Sequence, residues 1–356
     1  VIAVSGKSGL TTGAKQSFQK ARALKKAVAF FVGKLDSTHA HFYRVISSLV
    51  ANYGAVICPV VIPYIENDEV KSYIDLITNK AYACDGLELK ELRMPVSNEA
   101  DEMRSMLLEA IATADDALME KYFAGEEFTP EEIIEGLKKG VTAGEICPVF
   151  AGVQQTGAAV PLMMDTLLQI LPSAADAVCR FEDGEEKAFD ENGENALFVF
   201  KTIADPFVGK LSYFRVLSGK IKNDTRLINN RTGAEERLSK IMWLKGGKQE
   251  DAGEIIAGDI GSVSKLGNVL TGDTLSVSGK LAAAAVDFPA PTISVAVYPK
   301  AKGDEEKITQ AFSRLCEEDP TIKVYTDNET HEQILSALGE QHIDVIISRL
   351  KSKFGA

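Results

Sequence analysis

The first residues of the chain that could do chemistry are Ser5-Gly6-Lys7-Ser8, which follow a short apolar run. They suggest a phosphate-binding loop, whose pattern is G-x-x-x-x-G-K-[ST] and whose backbone N–H groups surround the phosphates of a nucleotide. However, Val1 occupies the position of the first glycine, and the sequence leaves no room for strand, phosphate-binding loop and helix in the required order. We therefore predict an ordinary loop between a strand and a helix.

Gly33, Lys34 and Asp36 form a second polar group, directly after the apolar residues 28–32. If this run is a buried parallel strand, its polar residues lie at the carboxyl edge of an open α/β sheet, where such sheets bind ligands. The alternative is that Asp36 only caps the helix predicted for residues 37–53, because Asp is a preferred N-cap residue. From the residues alone, the capping interpretation is favoured.

Metal and redox chemistry find little support in the sequence. The cysteines are odd in number, widely scattered and without the spacing of metal ligands, so we interpret them as reduced core thiols of a cytoplasmic protein. His39 and His41 lack a neighbouring Cys or carboxylate cluster of the kind that binds metals, and we assign them to a helix surface. We predict no metal ligand. The cysteines are Cys58, Cys84, Cys147, Cys179 and Cys316.

Composition sets further bounds. At 356 residues and 45% hydrophobic, the chain can form two or three domains with cores of their own. The formal net charge of −12 argues against a broad basic surface, so we expect no DNA partner. No apolar run approaches the roughly 20 residues that cross a membrane. We expect a cytoplasmic monomer without a membrane partner.

Periodicity predicts the elements around these residues. Apolar runs and helical spacing indicate strands at residues 1–4 and 28–32, and helices at residues 13–27, 37–53 and 99–123. Thr129 and Pro130, followed by two glutamates, are typical of a helix start. A polar acidic segment, residues 183–195, is interpreted as a linker.

The second half of the chain is rich in β-sheet residues. Its short runs alternate with turns at Pro206 and at several glycines, which favours a small closed barrel. These runs are residues 197–202, 211–216, 225–229, 237–243 and 260–263. The last segment has the order strand, helix, strand, strand, helix, which fits a ferredoxin-like α+β unit. Its elements are residues 292–298, 304–318, 322–325, 333–337 and 339–354.

Two long stretches of this half resemble one protein family. Residues 204–219, ADPFVGKLSYFRVLSG, are similar to the DPFVGKLTYFRVYSG signature in the second domain of translation elongation factor G, the ribosomal translocase. Residues 257–275 resemble the closing strands of the same domain. Residues 292–324 resemble the third domain of elongation factor G. In the first half, FFVGKLDSTHAHFYRVISSL resembles the FVNKLDRENADFYRVL stretch of the family.

The resemblance implies a multidomain chain: a partial P-loop-GTPase-type α/β domain with an inserted subdomain, then a translation-factor β-barrel, then a ferredoxin-like α+β domain. We predict the partial GTPase domain at residues 1–58 and 146–182 and its inserted subdomain at 59–145. The barrel domain is predicted at 183–287 and the ferredoxin-like domain at 288–356.

The resemblance also implies a guanine-recognition loop. In the family, Asn-Lys-x-Asp holds the base, and Asp accepts hydrogen bonds from two N–H groups of guanine. Lys34 and Asp36 match, but Gly33 replaces the Asn, and Gly152-Val153 replaces a Ser-Ala pair whose backbone contacts the base. Loss of one buried hydrogen bond costs about 1–3 kcal/mol, which weakens affinity by about one to two decades. We therefore expect weakened recognition, which Asn at position 33 should restore.

Charge is concentrated in two places that the family resemblance connects with the ribosome. Residues 99–135 contain twelve acidic and two basic residues, a net charge of −10. Such a run is either a solvated face or, as the resemblance implies, a docking surface for the ribosomal stalk protein. Arg349, Lys351 and Lys353 favour a helix C-terminus and are candidates to meet ribosomal RNA.

The resemblance covers only the middle of the family's length, so we interpret the chain as a fragment. It implies a translational GTPase that binds GTP or GDP with Mg²⁺ in the intact parent, whereas this chain is expected to bind none. We predict no catalytic residue, and enzymatic activity of the chain itself stays open. The alternative is a ribosome-binding paralogue with degraded guanine recognition. A ribosomal protection or release-factor relative is a third candidate, less favoured because of the large insertion after the GKLD stretch.

Overall fold

A computed structural model of the chain describes residues 1–205, 209–299 and 303–355. Its strands follow the apolar runs of the sequence, and its turns follow Gly and Asn, which tolerate positive φ. The chain divides into two units, Val1–Pro172 and Ser173–Ala356. The turn predicted at Pro206 lies outside the described residues.

The first unit is a seven-stranded sheet with helices packed on it. Its strands are β1 (Ile2–Ser5), β2 (Phe30–Gly33), β3 (Ile57–Glu66), β4 (Glu69–Asp75), β5 (Lys80–Asp85), β6 (Glu88–Leu92) and β7 (Cys147–Ala151). Its helices are α1 (Thr12–Ala23), α2 (Phe42–Tyr53), α3 (Asn98–Thr113), α4 (Asp116–Phe123), α5 (Pro130–Ala143) and α6 (Val160–Ile170). The strand order is β1-β2-β7-β3-β4-β5-β6.

Strand β3 joins the predicted partial GTPase domain to its inserted subdomain, whose boundary is predicted at residue 58. It pairs in parallel with β7 on one side and antiparallel with β4 on the other. Core residues of both parts, among them Phe30, Phe150, Ile62 and Leu107, belong to one buried cluster. The predicted partial nucleotide-binding domain and its insertion therefore share one sheet and one core.

Two predicted helices of this unit have different bounds. Helix α2 begins at Phe42 rather than at residue 37, because residues 37–41 form a turn in which the His41 N–H donates to the Gly6 carbonyl at 3.0 Å. The N-cap is His41, so the interpretation of Asp36 as a helix cap is wrong. His39 and His41 are exposed but lie in this turn, not on a helix surface.

The helix predicted for residues 99–123 is interrupted. Helix α3 ends at Thr113, and Asp115 caps α4 by accepting from the N–H groups of Ala117 and Leu118. The predicted start of α5 is confirmed: the Thr129 hydroxyl and the Glu132 carboxylate form a reciprocal capping box.

The second unit begins with a β-hairpin and an antiparallel sheet. The hairpin is β8 (Val178–Arg180) and β9 (Glu186–Ala188). The remaining strands of this part are β10 (Ala196–Asp205), β11 (Gly209–Ser218), β12 (Lys220–Lys222), β13 (Thr225–Asn229), β14 (Glu235–Leu238), β15 (Ile241–Lys245), β16 (Lys248–Asp251), β17 (Glu254–Ile256), β18 (Ile260–Ser264) and β19 (Thr274–Ser276). Eight of them form a sheet in the order β14-β13-β19-β10-β11-β18-β15-β16.

This sheet curls around a single core, as the predicted barrel requires. Leu238 of β14 and Ile241 of β15, strands well separated in the sheet order, lie in the same buried cluster as Phe214 of β11. Two predictions are corrected. The strand predicted at 237–243 is two strands, β14 and β15, and the linker predicted at 183–195 contains β9, which pairs with β8.

The last part of the second unit has the predicted order strand, helix, strand, strand, helix. Its elements are β20 (Ile293–Val297), α7 (Glu305–Glu318), β21 (Lys323–Thr326), β22 (Gln333–Ala337) and α8 (Glu340–Arg349), which a π-helical turn (Leu350–Phe354) extends. The sheet order β20-β22-β21 is antiparallel, and both helices contribute to one buried cluster with it. The predicted order of elements is confirmed.

Candidate functional site

The loops after β2 and β7 meet at one edge of the first unit's sheet. Both strands are parallel, with Val32 opposite Ala151, and the Gly152 N–H donates to the Val32 carbonyl at 3.1 Å. Because parallel neighbours end at the same edge, the residues that follow them are brought together. The sequence-predicted site residues of both loops therefore lie in one place, which we call the base edge: residues 33–36 and 152–154.

The loop after β2 leaves its two charged side chains in solvent. Gly33 and Leu35 are buried, whereas Lys34 and Asp36 are exposed. The Asp36 carboxylate makes no hydrogen bond or ion pair with the part of the chain that the structure describes, so both of its oxygens can accept from a ligand. Lys34 adopts a left-handed backbone conformation, with φ of 57°.

The loop after β7 is tightly built. A β-carbon on Gly152 would lie 2.7 Å from the Phe31 ring and 2.8 Å from the carbonyl oxygen of Ala158, so only glycine fits. The Val153 N–H donates to the same Ala158 carbonyl at 3.0 Å. A base carbonyl would have to compete with Ala158 for the Val153 N–H, and with Val32 for the Gly152 N–H.

Gln154 is the residue of this edge that sequence reasoning missed. Its side-chain oxygen accepts from the backbone N–H of Lys34 at 3.1 Å, a contact between residues 120 positions apart. A single sequence contains no signal for it, because Gln154 is an exposed polar residue in a Gly-containing loop and has no fixed spacing from Lys34. The bond joins the two loops directly.

The Gly6-Lys7-Ser8 loop contacts the base edge through a backbone hydrogen bond. The Ser5 hydroxyl accepts from the N–H groups of Lys7 and Ser8, at 3.2 and 3.3 Å, so two amides that could face a phosphate are already bonded. The Gly6 N–H donates to the Gly33 carbonyl at 2.8 Å. The prediction of an ordinary strand-to-helix loop is confirmed.

Groups for metal or thiol chemistry are not gathered in the described residues. Within residues 1–205, 209–299 and 303–355, no three His, Cys, Asp or Glu side chains are arranged to hold a metal ion. The five cysteines are free thiols, and burial raises the pKa of Cys147 to about 12. In the same ranges, no helix has the length and apolar character needed to cross a membrane.

The acidic residues of α3, α4 and α5 include some that stabilise the fold and others that are exposed. Asp115 is half-buried, caps α4 and pairs with Lys139, while Glu132 belongs to the capping box and pairs with Lys121 at 2.8 Å. These two carboxylates are structural. The others that the helices expose include Glu109, Asp116 and Glu120.

The basic residues at the end of α8 are largely neutralised within the second unit. The buried Glu318 carboxylate lies 2.7 Å from the Lys353 ammonium and 3.9 Å from the Arg349 guanidinium, and it also accepts from the Ala204 N–H. Lys351 is exposed. Of the three candidates for contact with ribosomal RNA, two thus have an internal partner.

Comparisons with known proteins match both units. Residues 194–278 match a family described as "Elongation factor G domain 2", and residues 288–356 match one described as "Elongation Factor G, domain III". The crystal structure of a Thermus thermophilus protein, ttk003000868, is similar, with a TM-score of 0.81 and 28% sequence identity. That similarity covers 99% of this chain and 52% of the solved chain. The chain thus spans about half the length of that solved protein.

Proposed function

We propose, because this chain belongs to the elongation factor G family, that it is part of a cytoplasmic translational GTPase which acts on the ribosome. In the longer protein, binding and hydrolysis of GTP would drive the movement of tRNA and mRNA. A GTPase must hold the triphosphate and Mg²⁺ and orient the attacking water. We assign none of these tasks to a residue of this chain.

The base edge is the observation that carries this proposal. Asp36 offers a carboxylate with both oxygens free, the chemistry that pairs with two N–H groups on one edge of guanine. The long stem of Lys34, exposed two residues before it, can cover the face of the base. Adenine presents a single amino group and no neighbouring ring N–H, so such a carboxylate favours guanine.

The test is a titration of the longer protein with fluorescent GDP and fluorescent ADP. We expect GDP to bind more tightly, and Asp36→Ala to weaken GDP binding by at least about tenfold, since a charge-assisted pair is lost. Asp68→Ala is the control, because this exposed carboxylate lies in the β3–β4 turn. Equal affinity of the wild-type protein for GDP and ADP would contradict the proposal.

A second candidate, a ribosome-binding paralogue that does not turn over GTP, is favoured by one feature. The N–H groups of Gly152 and Val153 are both bonded within the fold, and Gly33 has no side chain to offer a base. Ribosome binding without ribosome-stimulated GTP hydrolysis would support this candidate.

The proposal also includes two contacts with the ribosome. The exposed carboxylates of α3, α4 and α5 are proposed to meet the stalk protein, because a concentrated charge attracts a basic partner at long range. Contact of the terminal basic residues with ribosomal RNA would rest mainly on Lys351, unless Arg349 and Lys353 leave Glu318.

A further inference from the structure

Gln154 links the two loops of the base edge. It lies two residues after Gly152, in the loop after β7, and its amide oxygen accepts from the Lys34 N–H at 3.1 Å. The rest of the loop is anchored, since the Gly157 N–H donates to the Val153 carbonyl at 2.9 Å. The Gln154 side chain therefore extends to Lys34 from an anchored loop.

The same side chain occupies the space above Gly33. A β-carbon on Gly33 would lie 2.6 Å from the Gln154 oxygen and 3.1 Å from the Phe31 ring. The backbone of Gly33 does not have a positive φ, so its conformation permits a side chain, but such a side chain would require the Gln154 side chain to shift. The absence of a side chain at Gly33 thus leaves the space that the Gln154 oxygen occupies.

Lys34 is the residue that this bond holds. Its φ of 57° is a left-handed conformation, which residues other than Gly adopt only when their surroundings impose it. The Gln154 oxygen fixes its N–H, and the Ser37 N–H bonds its carbonyl at 3.2 Å. Between these two bonds the chain turns, and this turn leaves the Asp36 side chain exposed at the edge of the sheet.

We infer that Gln154 is a positioning residue of the base edge: it takes the place of a side chain at position 33 and ties the loop after β2 to the loop after β7. The inference rests on the proposed guanine-binding function for its purpose, although not for its geometry. It changes the expectation for Gly33, because Asn at this position would have to displace Gln154 and would break the bond to Lys34.

Hydrogen exchange of this chain tests the geometry without any nucleotide. In Gln154→Ala the Lys34 amide should exchange about tenfold faster, as expected for the loss of one hydrogen bond. Gln155→Ala, an exposed neighbour, should leave it unchanged, and Gln154→Glu, which keeps an acceptor oxygen, should retain slow exchange. Equal exchange in wild type and Gln154→Ala would overturn the inference.

GDP titration of the longer protein tests the purpose. Gln154→Ala should weaken binding about tenfold, and Gly33→Asn alone should weaken it too. The double variant Gly33→Asn with Gln154→Gly should bind better than either single variant, because the new amide then has space. Tighter binding by Gly33→Asn alone would overturn the inference. If the wild-type protein bound no GDP, the proposed function would fail, and the exchange experiment would still decide the role of Gln154.

Discussion

The ring of Phe31 lies so close to Gly152 that a β-carbon there would be 2.7 Å from it, and the same ring is 3.1 Å from a β-carbon built on Gly33. One aromatic side chain on β2 thus restricts the residues that end two neighbouring strands.

Gly152→Ala should destabilise the first unit by about 2–3 kcal/mol, because the Phe31 ring and the backbone carbonyl of Ala158 would both have to shift to accept the added β-carbon. Gly13→Ala is the control. Gly13 lies in α1 with open space around it, so alanine should stabilise the helix by up to about 1 kcal/mol. Urea unfolding followed by hydrogen exchange in residues 1–172 measures both effects, and equal stabilities would refute the steric argument.

The chain by itself should not bind GTP measurably. The phosphates supply most of the contacts in such a site, and the amides of Lys7 and Ser8 are already bonded to the Ser5 hydroxyl. Lys34 and Asp36, both exposed, are the side chains left to hold the base. Isothermal titration with GTP or GDP and Mg²⁺ checks this expectation, and micromolar binding would contradict it.

Substitutions in helices α3 and α4 should distinguish the carboxylates that serve docking from those that stabilise the fold. Amide substitution of Glu109, Asp116 and Glu120 should slow association with the ribosomal stalk protein at low salt, with a smaller effect at high salt, because steering acts through screened fields. The melting temperature should hardly change. Unchanged association at both salt concentrations would leave a merely solvated face.

Asp115, in contrast, should affect stability. Asp115→Ala removes the cap of α4 and the partner of Lys139, and should cost about 1–2 kcal/mol. Asp116→Ala, one residue further and exposed, is the matched control and should cost much less. Thermal unfolding of the two variants compares them directly. Equal losses would mean that the cap contributes nothing.

The barrel should lose stability in acid through Asp273. Burial opposes ionisation of this carboxylate, but hydrogen bonds from Arg231, the Leu270 N–H and Asn229 outweigh it, so the folded-state pKa is lowered. A lowered pKa stabilises the fold above the unfolded-state pKa, about 3.9. This stabilisation is lost as pH falls through the folded-state pKa.

Asp273→Asn should remove this acid dependence and cost about 2–3 kcal/mol near neutral pH, since a bidentate pair with Arg231 is lost. Asp224→Asn is the control, because Asp224 and its partner Arg237 are both exposed. Fluorescence of Trp243, in β15, reports unfolding of the barrel. An unchanged acid transition in Asp273→Asn would contradict the assignment.

Local patterns determined much of the fold. The capping box at Thr129 was predictable because its signals lie within four residues, and β13 and β22 match the predicted runs because their apolar residues and turns are local. The break before Asp116 also has a local signal, since Asp115 is a preferred N-cap, but the apolar spacing across residues 99–123 outweighed it in the prediction.

Only the tertiary structure decided the features that depend on distant segments. Helix α2 begins late because the His41 N–H bonds to Gly6, and β3 belongs to both predicted parts because it has neighbours on both sides. The sequence by itself determined which charged residues follow β2, Lys34 and Asp36. Only the structure showed that Gln154 bonds to Lys34, a residue 120 positions away in the sequence. The two residues meet because parallel pairing of their strands brings the following loops together.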